Sequence, residues 1–178
     1  MVAWSAVDGA GDSNIYGSSS AGASPVRIDD DTQGQNQLEV SLAIDPQTAT
    51  LYATWEDRRG GANVYFSRST DGGATWEASI DVGVGLGGDQ FRPQAVVDVA
   101  GNVYVAFHDT TNGQRVVFSR FNEEGTFDPP LAPSTSAGQG GIVADEPAVA
   151  TDQFGTVYVA WQENRNGPNT DIVFARAE

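Results

Sequence analysis

The chain has 178 residues and a formal net charge of −15, from 24 acidic side chains against 9 basic ones, with no cysteine and a single histidine. Those figures exclude disulfides, thiolate zinc sites and multi-histidine metal centres, and the acidic balance opposes nucleic acid or an anionic membrane, both of which reward basic patches. With 21 Gly and 8 Pro the chain is rich in turns, yet 39% hydrophobic residues, including four Trp and eight Phe, suffice for a folded core.

Read in order, the chain is a series of short apolar runs bounded by Gly, Asp, Asn or Pro, and each run predicts a β-strand. Met1–Trp4 and Asn14–Tyr16 come first; the start lacks the basic and apolar stretches of a signal peptide. Val40–Asp45, Leu51–Glu56 and Asn63–Arg68 follow, then a weaker strand around Trp76–Val82. The same order returns as Ala95–Asp98, Val103–His108, Val116–Arg120 and a weak strand around Phe127–Pro133, and again as Ala148–Asp152, Val157–Gln162 and Asp171–Arg176. The aromatic anchors Trp4, Trp55, Phe107 and Trp161 stand 51, 52 and 54 residues apart. Four short strands, A to D, repeated at about 52 residues predict an all-β fold, a β-propeller of four-stranded antiparallel blades. The blades fall at about 1–36 (partial), 37–89, 90–143 and 144–178 (partial), an incomplete ring of about 3.4 repeats and fourteen strands. In this frame Trp55, Phe107 and Trp161 pack between blades.

Ser69-Thr70-Asp71-Gly72-Gly73-Ala74-Thr75-Trp76 fits Ser-x-Asp-x-Gly-x-Thr-Trp, the turn that follows the third strand of a blade. In such a turn Asp and Ser accept backbone N–H groups, Gly supplies a positive φ, and Trp fills the space beneath the hairpin. The match resembles the Asp box (BNR repeat) of the sialidase-like β-propellers, and with the repeat frame the resemblance covers essentially the whole chain. It implies a structural role for Ser69, Asp71, Gly73, Thr75 and Trp76. A second copy, Phe121–Phe127, retains an acid, the Gly and an aromatic but is one residue shorter, and a first copy at Ser18–Ser24 is more decayed. Sialidases of the family clamp the sugar carboxylate with three arginines, use a Tyr with a Glu partner as nucleophile, and an Asp as acid/base. Phe91-Arg92-Pro93 is similar to the family's Phe-Arg-Ile-Pro but lacks the Ile, and every Tyr occupies a strand repeat position. Catalysis is therefore not expected, and the alternative is a fragment of an exo-sialidase or related glycoside hydrolase.

The B–C and D–A loops emerge on one propeller face, where Glu39, Arg92 and Glu146 start their A strands and ring the mouth of the central channel. With Arg58 and Arg59 they are the candidate ligand-binding residues. Arg68, Arg120 and Arg176 share one position at the end of strand C and read as structural ion-pair partners. Clustered carboxylates are hard-cation ligands, so Asp8, Asp12, Asp29, Asp30 and Asp31 are the candidate Ca²⁺ ligands; no other cofactor is implied. Unpaired blade faces imply either self-association or further blades of a longer chain. The overall expectation is a non-catalytic module, extracellular or at the cell surface, serving binding, adhesion or structure, with glycans as the ligand class and no nucleic acid or membrane insertion.

Overall fold

The computed structural model describes residues 1–20, 22–133, 143–164 and 169–177. The described residues form four antiparallel sheets, one per repeat. The first holds β1 (Val2–Val7), β2 (Ser13–Ser18) and β3 (Val26–Arg27) in the order β1-β2-β3. The second is four-stranded, with β4 (Gln37–Ile44), β5 (Leu51–Asp57), β6 (Asn63–Ser69) and β7 (Ile80–Asp81). The third pairs β8 (Gln90–Val97), β9 (Val103–Asp109) and β10 (Arg115–Phe121), and the fourth β11 (Ala144–Thr151), β12 (Val157–Glu163) and β13 (Asp171–Ala177). Each sheet is a blade, and the innermost strands lie side by side, β4 next to β8 and β8 next to β11.

Thirteen strands replace the expected fourteen. The fourth strand of the third blade shrinks to one bridge between Phe118 and Leu131. The cause is local: Pro129 and Pro130 carry no N–H, and the chain pairs only where it leaves them.

Period-two alternation gives every blade two apolar faces, as a stack requires. The forward face of the second blade carries Tyr52, Val64 and Phe66, which meet Val103, Val105, Phe107 and Val117 on the rear face of the third. The third blade in turn meets Val157, Val159 and Trp161 of the fourth, and Ile15 of the first meets Ala53 and Trp55 of the second. The anchors Trp55, Phe107 and Trp161 are 0%, 0% and 2% exposed, as inter-blade packing demands. The indoles also cap their own strands: Trp55 Nε1–H donates to Asp57 at 3.0 Å and Trp161 Nε1–H to Glu163 at 3.0 Å.

The 69–76 turn has the hydrogen bonds its sequence predicts. Asp71 accepts the Thr75 N–H at 2.9 Å and the hydroxyls of Thr75 (2.6 Å) and Ser69 (2.8 Å), and Ser69 Oγ accepts the Gly73 N–H at 2.9 Å. Gly73 adopts φ 91°, and Trp76 packs on the core between the first two blades. In the shortened copy the structure corrects the sequence reading. The acceptor is Asn122, which takes the N–H groups of Glu124 and Thr126 and the Thr126 hydroxyl, and neither neighbouring glutamate has that part. Phe127 supplies the aromatic plug, edge-on to Phe66 at 5.1 Å.

Candidate functional site

Strand A of the last three blades opens with a β-bulge, between Leu38 and Ser41, Phe91 and Gln94, and Asp145 and Ala148. The residues forced into the left-handed region there are Glu39 (φ 52°), Arg92 (φ 54°) and Glu146 (φ 51°). None is glycine, so each costs on the order of 1–3 kcal/mol, the kind of local strain that concentrates at functional sites. The bulges join the three residues around the axis. The Arg92 N–H donates to Glu39 Oε2 at 3.1 Å, while the Arg92 side chain pairs with Asp145 and lies 3.3 Å from Glu146.

Beside this chain of contacts lies an axial cavity of about 460 Å³, lined by Glu39, Glu56, Arg58, Phe91, Arg92, His108 and Asp145, with Leu38, Thr110 and Gln114. The Arg58 guanidinium sits 2.5 Å from Glu56 and 5.5 Å from the centre of the Phe91 ring, which in turn lies 5.8 Å from His108. Burial is the main force raising the Glu56 carboxyl above its ordinary range; the charge of Glu39 adds to it, and Arg58 and Arg92 oppose it. Burial also disfavours the Asp145 carboxylate, but the hydrogen bond from Arg92 and its neighbours outweigh that and hold Asp145 below its ordinary range. Two carboxyls in one cavity are thus pushed in opposite directions.

His108 is 5% exposed and neither ring nitrogen has a hydrogen-bond partner among the described residues. Its Nδ1 stands 3.5 Å from Asp145 without hydrogen-bond geometry. Burial lowers its pKa, against the pull of Asp145, so the imidazole is neutral at pH 7. A buried polar ring facing a cavity without partners is an uncommon arrangement in a folded protein.

Of the five predicted ligand-binding residues, Glu39, Arg92 and Arg58 line the cavity. Glu146 borders an adjacent cleft with Trp161 and Ile172, touching the site through Arg92. Arg59 points elsewhere: it pairs with Asp57 (2.8 Å) and Asp30 (2.7 Å) and covers the Tyr65 ring at 4.5 Å. Arg68 and Arg120 pair with Glu77 and Asp128 at the ends of their C strands.

The acidic candidates for calcium lie in loops that use their oxygens internally. Asp8 accepts the N–H groups of Ala10, Gly11 and Asp12, Asp29 accepts Ile15 N–H and Arg27, Asp30 accepts Ser79, and Asp31 accepts the N–H groups of Gln33 and Gln35. Among the described residues no three His, Cys, Asp or Glu side chains are grouped to hold a metal ion, and Asp8, Asp12, Asp29, Asp30 and Asp31 therefore do not come together as a ligand set.

Sequence reasoning did not single out His108 and Phe91 as site residues. His108 occupies the position after the aromatic anchor, which carries Glu56 and Gln162 in the neighbouring blades. A polar residue recurring inside an apolar strand was the available signal.

No family model matches this chain, and no curated protein matches it. Solved structures do. A Hadza microbial sialidase superposes with a TM-score of 0.61 at 14% identity, over 92% of this chain and 38% of its own. A protein of unknown function from Dyadobacter fermentans gives 0.66 at 18% identity, over 92% of this chain and 44% of its own. The Penicillium chrysogenum α-L-arabinanase complexed with arabinobiose gives 0.64 at 16% identity, over 92% of this chain and 53% of its own. At these identities the likeness establishes the fold, an all-β propeller architecture shared with glycoside hydrolases. The chain spans about 38–53% of the length of these structures. Among the described residues no helix is long and apolar enough to cross a membrane.

Proposed function

We propose that this chain is a non-catalytic propeller module of the sialidase-like, Asp-box type, and that its axial cavity binds an uncharged glycan outside the cell. The observation that carries the reading is His108: a neutral, buried imidazole with two unpartnered nitrogens in the cavity wall can accept from one sugar hydroxyl and donate to another. Phe91 offers an apolar surface beside it, and the cavity's volume falls in the range of small-ligand sites.

Charge argues for a neutral ligand. A carboxylate clamp needs arginines whose charge is available, whereas Arg92 is neutralised by Asp145 and Glu146 and Arg58 by Glu56. With Glu39 also in the wall, an anionic sugar meets more carboxylates than guanidinium groups. The solved propellers that resemble this chain act on both sugar types by their names, so the choice rests on the cavity itself.

A microarray holding neutral and sialylated glycans tests this directly, followed by calorimetry with arabinobiose, xylo- and galacto-oligosaccharides and sialyllactose. Neutral glycans are expected to bind, with at least tenfold loss in His108→Ala and in Arg58→Ala. Preference for sialyllactose, or affinity indifferent to both substitutions, contradicts the reading.

A second reading, a fragment of an exo-sialidase or related glycoside hydrolase, is favoured by one observation: the carboxyls of Glu56 and Asp145 are pushed apart in pKa, as an acid and a base require. Against it, each carboxylate in the cavity is already held by a cation or an N–H group. Release of sugar from the same oligosaccharides, abolished by Glu56→Gln, would establish the second reading over the first.

A further inference from the structure

Every internal blade contact joins the forward face of one sheet to the rear face of the next, and the two outermost faces of the described structure carry the same residue pattern without a partner. On the fourth blade, register places Ile172 and Phe174 where the second blade has Val64 and Phe66: Phe66 is opposite Thr54 and Phe174 opposite Ala160, each one residue before its Trp. Val64 and Phe66 are 0% and 2% exposed, but Ile172 and Phe174 are 79% and 72% exposed. On the first blade, Trp4 pairs with Tyr16 as Trp55 pairs with Tyr65, yet Trp4 is only half-buried and Val2 is exposed.

The two faces also complement each other in shape. Phe66 packs on Phe121 at 4.9 Å in the contact between the second and third blades. The first-blade counterpart of Phe121, four residues beyond the partner of the aromatic anchor, is Ser20. The small side chain leaves an open groove of about 510 Å³ between Val2, Trp4, Ser18 and Ser20. A phenylalanine arriving from a forward face fits where an internal one is missing.

We infer that the fourth-blade face of one copy of this chain docks on the first-blade face of a second copy, with Phe174 entering the groove beside Trp4. The contact is heterologous, so copies add head to tail and close into a ring or continue as a chain according to the rotation between them. Three strands about 4.8 Å apart and about 20 Å long present roughly 500 Å² of accessible surface per side. About 1,000 Å² in total lies at the lower edge of specific interfaces, which places the affinity on the order of 10–100 μM. Like charge opposes the contact, since each copy carries −15, so salt strengthens it.

Sedimentation velocity on the 178-residue chain, from 5 to 500 μM in 50 and 500 mM NaCl, is the first test. Concentration-dependent association that increases with salt, and that Phe174→Asp weakens at least tenfold, is expected. Because Phe174 is exposed within one copy, the variant should fold, which circular dichroism checks. Orientation is read by cysteine cross-linking, since the natural chain has no cysteine. Phe174→Cys mixed with Ser20→Cys should form a mixed disulfide dimer faster than either variant alone. A monomer throughout the range, association untouched by Phe174→Asp, or preferential Phe174→Cys self-linking overturns the inference.

Discussion

Replacing Trp55 with Phe isolates one feature that the repeat imposes on its core, the bond from an anchor indole to the acid two residues on. Trp55 is fully buried and its Nε1–H reaches Asp57 Oδ2 at 3.0 Å; Asp57 is itself fully buried and also receives the Arg59 N–H at 2.9 Å and the Arg59 guanidinium at 2.8 Å. Phe keeps the ring beneath the blade but removes the donor and leaves a void. A hydrogen bond to a charged group contributes about 1.5–3 kcal/mol, and the void costs about 1 kcal/mol more. The sum, about 2.5–4 kcal/mol, corresponds to a fall in Tm of roughly 5–16 °C for a chain of this size. Urea unfolding should show the loss, and a double-mutant cycle with Asp57→Asn should return about 1 kcal/mol or more of coupling. The third blade supplies the control. Its anchor is Phe107, and Asp109 is instead satisfied by the Thr111 hydroxyl at 2.5 Å and Arg115 at 2.6 Å, so Phe107→Trp should gain no bond and should overpack by about 1–3 kcal/mol. A loss under 1 kcal/mol in Trp55→Phe, or a stabilised Phe107→Trp, would refute the reasoning.

Asp71→Ala should lower the melting temperature while leaving glycan affinity unchanged, whereas Asn122→Asp should melt near the wild type because either side chain accepts the same N–H groups. Hydrogen bonds from Thr75 and Ser69 hold the Asp71 carboxyl far below its ordinary range, so its contribution persists through mild acid and is lost only in strong acid. His108 acts on the opposite side of neutrality. The fold lowers its pKa, the unfolded chain binds the proton more readily, and stability must therefore fall as pH drops below about 6.5. Melting temperatures from pH 5 to 8 should flatten in that window for His108→Gln; an unchanged slope would exclude the imidazole as the cause. Ala49, the only non-glycine residue in the left-handed region (φ 59°) outside the three bulges among the described residues, closes the β4–β5 turn. Ala49→Gly should raise stability by about 0.5–1 kcal/mol in thermal melts.

The blade count, the strand order and the inter-blade anchors were legible because a spacing near 52 residues repeats whole strands, and the Ser69–Trp76 turn because each of its side chains has a fixed hydrogen-bonding task. Position alone placed Glu39, Arg92 and Glu146 at the axis. Their left-handed backbone was not legible, since an extra residue in one strand shows only against its paired partner. Arg59 could not be told from Arg58, because a loop decides which of two adjacent guanidinium groups turns inward and which turns to Asp57. The acidic loop residues looked like cation ligands by composition, yet turns consume carboxylate oxygens through backbone N–H groups that sequence does not reveal. His108 escaped notice for a related reason: a strand position looks structural until the cavity in front of it is seen.

The single histidine also makes the central claim directly measurable. In protein labelled with ¹⁵N only at histidine, His108 gives the one imidazole signal, from a ring that is neutral and unpartnered without ligand. Saturation with a neutral oligosaccharide that binds in calorimetry should shift both ring nitrogens and protect the ring N–H from exchange. Binding heat with the imidazole signals unmoved would place the ligand elsewhere and contradict the assignment of the axial cavity as the binding site.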